Sequence, residues 1–61
     1  MNQTTRDILQ DIAKYGQAVI LNHSVRQLSA AQDLIDADIC YRSNTLVGYF
    51  IIKFGSKENQ S

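Results

Sequence analysis

The segment 39–54, Ile-Cys-Tyr-Arg-Ser-Asn-Thr-Leu-Val-Gly-Tyr-Phe-Ile-Ile-Lys-Phe, constrains the fold more than any other part of the chain. It is dense in β-branched and aromatic side chains, which suit a pleated, half-buried surface, and small polar turn formers interrupt it once. The pattern predicts a β-hairpin that turns at Ser43 and Asn44, so that Arg42 faces Thr45 and Tyr41 faces Leu46. Because side chains alternate along a strand, Ile39, Tyr41, Leu46, Gly48, Phe50, Ile52 and Phe54 are expected to share the core face. The opposite face then carries Cys40, Arg42, Val47, Tyr49, Ile51 and Lys53, which is too apolar for a sheet face left in water.

Size sharpens that conflict. A chain of 61 residues, 44% of them hydrophobic, makes one domain. A domain this small buries only about 60% of its unfolded surface and is marginally stable alone. A single Cys forms no internal disulfide, and one Cys with one His cannot complete a four-ligand zinc site, so no cofactor or metal is expected. Packing must supply the core, with or without a second chain.

The remainder of the chain supplies elements to pack on the hairpin. Thr4 followed by Asp7 matches a capping box, and Ile8, Leu9, Ile12 and Ala13 recur at helical spacing, predicting a helix over 5–15 with Gly16 as its carboxyl-terminal cap. Segment 17–22 contains Ala-Val-Ile-Leu and reads as a short strand completing a three-stranded sheet; a short middle helix is the alternative. Ser24 with Gln27 repeats the capping pattern, and Val25, Leu28, Ala31, Leu34 and Ile35 predict a second helix over 25–37. The expected architecture is α+β, ordered helix, short strand, helix, hairpin, with both helices on one face of a small antiparallel sheet. It forms a single domain over 1–54, and the wholly polar segment 55–61 is expected to be a disordered tail.

Catalytic chemistry is not encoded in any recognisable pattern, and the protein is not expected to be an enzyme. His23 lies in a predicted loop beside Asn22 and Ser24 with no sequence-near partner, and Cys40 falls on a strand as a small apolar residue. Asp33, Asp36 and Asp38 lack the loop and the Gly of a calcium site and read as a solvated surface, while the three Gly are too dispersed to cradle a phosphate. The apolar runs are too short to span a bilayer, the amino terminus carries no signal-peptide pattern, and a lone Cys suits the reducing cytoplasm, so a cytoplasmic protein without a membrane partner is expected.

Two classes of function remain. The first is a protein-interaction module, an adaptor or inhibitor that pairs with itself or with a larger protein through Cys40, Val47, Tyr49 and Ile51. The second follows from layout. A helix opening with Arg26, Gln27 and Ser29, followed directly by a hairpin tipped by Arg42 and Asn44, resembles the recognition helix and wing of a winged-helix domain over 24–54. The resemblance implies a DNA-binding regulator in which these five residues contact nucleic acid. Six basic and six acidic residues cancel, however, leaving none of the basic surplus such a domain uses, so the interaction module is the first reading.

Overall fold

A computed structural model describes residues 2–56. The elements occur in the expected order: α1 (Gln3–Tyr15), β1 (Ala18–Leu21), α2 (Val25–Asp36), β2 (Cys40–Leu46) and β3 (Tyr49–Phe54). The sheet order is β1-β3-β2, and both neighbouring pairs are antiparallel. β1 and β2 therefore run parallel on either side of β3 and are joined by α2, the helical crossover that parallel strands require. The two helices cover one face of this sheet, as the sequence pattern predicts.

Local chemistry explains the boundaries. The α1 cap is Asn2, whose side chain accepts from the Thr5 N–H at 2.8 Å, so the helix starts two residues earlier than the Thr4 box implies. Gly16 closes it in the left-handed region at φ 83°, and its N–H donates to the Ile12 carbonyl. Ser24 caps α2 by accepting from the Gln27 N–H at 3.3 Å. The end of α2 is a Schellman motif: Asp38 N–H donates to Ile35 O and Ile39 N–H donates to Leu34 O, with Asp38 itself at φ 63°. Asp tolerates this conformation less well than Gly, and its carboxylate also opposes the helix dipole.

The hairpin turns later than the sequence pattern suggests. Leu46 pairs with Tyr49, so Val47 and Gly48 form the loop, and Gly48 takes the positive φ of 88° that this tight reversal requires. Ser43 and Asn44, the expected turn, lie inside β2, where the register shifts between Arg42 and Asn44 as a β-bulge. This correction inverts part of β2. Cys40 points to the helices and is 1% exposed, whereas Leu46 and Tyr41, both expected in the core, lie on the other face. β1 turns Ala18 and Ile20 inward and Val19 and Leu21 outward.

Ile8, Ile12, Ala18, Ile20, Ala30, Ala31, Leu34, Cys40, Phe50 and Ile52 form the core, with Leu9, Leu28 and Ile35 packed against it. Small residues occur where the layers meet, so the helices approach the sheet closely. Ile39 and Phe54, expected inside, are half exposed. Gly55 is held by its N–H bond to Ile39 O and does not belong to a loose tail, while residues 57–61 of the expected tail lie outside the described residues.

Two stability measurements follow. Phe50→Ala removes a ring that is 3% exposed on the central strand and should cost about 3–5 kcal/mol, comparable with the whole stability of a small domain. A cooperative, near-native melt for that variant would show that the inward face is misassigned. Asp38→Gly relieves a left-handed non-Gly residue at a helix end and should raise stability by about 0.5–1 kcal/mol in urea titration. A lower midpoint would mean that the Asp38 side chain stabilises the motif.

Candidate interaction surface

The helices leave one face of the sheet uncovered. The pairings Val19 with Ile51, Leu21 with Tyr49, Leu46 with Tyr49, Asn44 with Ile51 and Tyr41 with Lys53 place these eight side chains together on that face. Six are apolar or aromatic, and the face holds one charge, the Lys53 ammonium, with no carboxylate. Val19, Leu21 and Leu46 are 47%, 37% and 42% exposed, and Tyr41, Tyr49 and Ile51 are partly covered by their neighbours. The solvated face of an antiparallel sheet ordinarily alternates to polar residues, and this one does not.

The residues expected at an interface divide accordingly. Tyr49 and Ile51 occupy the middle of the open face on the central strand. Val47 stands at the hairpin tip, 99% exposed, at the end of the apolar strip. Cys40 is on the opposite side of the sheet within the core, so its assignment to the interface is corrected. The bulge accounts for the error, since it shifts the register so that Cys40 opposes the inward-facing position of Phe54. Val19, Leu21, Leu46 and Tyr41 were missed. The signal for Leu46 was Gly48, the only residue of segment 39–54 with no steric cost at positive φ, whereas the bulge that turns Tyr41 outward and the parity of β1 have no such local signal.

The β1 edge is partly satisfied within the chain, and the β2 edge is interrupted by a bulge. On β1 the Leu21 N–H donates to the Gln27 side-chain oxygen at 2.9 Å, and the Leu21 carbonyl accepts from Ser24 N–H at 3.1 Å. The edge-directed groups of Leu21 are therefore satisfied within the chain, on a strand only four residues long. On β2 the Gly55 to Ile39 bond fixes the alternation that turns the peptide groups of Cys40 and Arg42 away from β3. Cys40 is buried there, and the bulge breaks the line of the edge two residues later.

The five candidate nucleic-acid contacts are not brought together. Arg26 and Ser29 line a groove of about 400 Å³ with Asn2, Gln3, Thr4 and Val25, between the amino-terminal turns of the two helices. Gln27 is committed to the β1 edge. The Arg42 guanidinium lies 4.0 Å from the centroid of Phe50, on the helix side of the sheet, and Asn44 lies on the open face opposite Ile51. The hairpin tip is Val47-Gly48 and carries no cation. His23 is exposed in the turn after β1.

Among the described residues no three His, Cys, Asp or Glu side chains stand together as a metal site, and no helix is long and apolar enough to cross a membrane. No buried side-chain nitrogen or oxygen there lacks a hydrogen-bond partner. Burial pushes the Cys40 thiol above its ordinary range, which keeps it protonated and a poor nucleophile at neutral pH. The folded thiol holds its proton after the unfolded one has lost it, so its contribution to stability is complete below the unfolded pKa and is lost as pH rises above it. Cys40 should accordingly react with a thiol reagent far more slowly in the native protein than in urea. Equal rates in the two conditions would place it on an accessible surface.

Comparison with protein-family models, with curated proteins and with solved structures returns no match for this chain.

Proposed function

We propose that the protein is a small, non-enzymatic interaction module that binds protein, either a second copy of itself or a larger partner, through the open face of its sheet. The carrying observation is that face: Val19, Leu21, Leu46, Tyr49 and Ile51 form a contiguous apolar surface that the two helices do not cover. Complete burial of one such side chain is worth about 1.5–3 kcal/mol, and these partly exposed residues retain a fraction of that each. Tyr49 and Tyr41 add the residue type that interfaces favour, an apolar ring with a polar end. The reducing cytoplasm is the compartment that suits an unpaired buried thiol.

Strand order β1-β3-β2, with a helix leading into the terminal hairpin, also supports a second reading as a winged-helix-like DNA-binding regulator. That reading places Arg26 against bases and Arg42 against backbone, although the two occupy different parts of the molecule.

Both readings are separable with a double variant and a gel shift. Tyr49→Lys combined with Ile51→Lys should keep helical circular dichroism and abolish dimerisation or face-dependent capture of a protein partner. A double variant that associates as wild type does would remove the interaction reading. On random duplex DNA at low salt the first reading expects no shift. The regulator reading expects a salt-sensitive shift that Arg26→Ala and Arg42→Ala each weaken, the former with loss of sequence preference.

A further inference from the structure

Building on that reading, we infer that the occupant of the open face is a second copy of the chain, packed face to face with its strands reversed about a two-fold axis at Ile51. The central strand presents Tyr49, Ile51 and Lys53 outward in that order, with Ile51 in the middle and Val19 and Asn44 on either side of it. Leu21 and Leu46 flank Tyr49, whereas Tyr41 flanks Lys53, so one end of the face is apolar and the other holds its one charge.

A two-fold axis lying in the interface can run along the strands or across them. Along the strands it sets Lys53 against the partner's Lys53, two like charges losing water together. Across the strands at Ile51 it sets Lys53 against the partner's Tyr49. There the ammonium meets an aromatic ring and its methylene stem covers the flanking leucines. The charge on the face thus selects one arrangement, and in it the face complements itself with no carboxylate from another protein. A chain of zero formal net charge adds no long-range repulsion between copies.

Closure follows from the same geometry. Once two faces meet about a two-fold axis, each copy has spent its open sheet face on the other, so association through that face stops at two. Three strands at their usual spacing and six residues of β3 give a footprint of roughly 15 by 20 Å, about 300 Å² per copy before side-chain relief. Standard interfaces bury about 800 Å² per partner, so this is a small and reversible dimer.

The test is sizing of the wild type over roughly two decades of concentration, joined to cross-linking of single-cysteine variants with Cys40 as the buried background. Faced sheets lie about 10 Å apart, too far for a direct disulfide, so a bis-maleimide linker of about 8 Å should join Ile51→Cys to itself and should join Tyr49→Cys to Lys53→Cys in a mixture. Lys53→Cys alone should yield roughly tenfold less dimer than Ile51→Cys, because its thiols are offset by about a further 13 Å along the strands and lie beyond the linker. Should Ile51→Cys fold poorly, the mixed pair decides. Self-linking of Lys53→Cys without the mixed product overturns the arrangement. A wild type monomeric at every concentration overturns the second copy. If that monomer still captures another protein through Tyr49 and Ile51, the interaction reading survives; without capture, both fall.

Discussion

Every other feature of this fold answers to β3, a central strand that is apolar on both sides. Phe50 and Ile52 point into the helices and are buried, while Tyr49 and Ile51 point away from them. A strand with two apolar faces ordinarily belongs in the middle of a layered structure with cover on each side. Here the helices provide one layer. α1 and α2, 13 and 12 residues long, are each close to the sheet in length and lie side by side over Ala18, Ile20, Phe50 and Ile52. No helix or strand among the described residues remains to cover the second side.

The helix-covered side is light. Four of its ten buried residues are Ala18, Ala30, Ala31 and Cys40, which bring backbones close but remove little apolar area from water. Large side chains are concentrated in Ile8, Ile12, Ile20, Leu34, Phe50 and Ile52, and the Arg42 guanidinium covers part of the Phe50 ring where neither helix does. A core of this weight leaves a small domain little margin. Any contact made on the other side of β3 would therefore add to the stability of the folded state, and association through that face would be coupled to folding.

The sequence made the element order legible because each signal was local. The apolar spacings of both helices, the Gly16 and Ser24 caps and the β-branched run of β1 depend on residues a few positions apart, and the structure follows them. The β3 parity was legible too, since Lys53 marks the outward side of the strand and Phe50 and Ile52 share the other. What went astray was register. Ser43 and Asn44 are good turn residues, yet the chain uses them as a bulge and turns at Val47 and Gly48. Positive φ at a reversal favours Gly more strongly than polarity favours Asn, and the later turn lengthens β2 until it pairs with the whole of β3. The displaced turn moved Leu46 outward, and the bulge moved Cys40 inward and Tyr41 outward. The edge-closing bond from Leu21 N–H to Gln27 was illegible, because Gln27 already had a local role in the expected capping box.

That bond also bears on how the open face stays usable. A sheet with an apolar side and free edges invites strand addition without limit, and unlimited growth competes with any defined complex. Gln27 and Ser24 occupy the groups of Leu21 that would template a new strand, and the bulge beyond Arg42 breaks the other edge. Lys53 works in the same direction on the face itself, since a single ammonium among apolar side chains penalises packings that bury it unpaired. If the open face binds protein, the satisfied groups of Leu21, the β2 bulge and the single ammonium would narrow the choice of partner as much as the apolar strip favours binding.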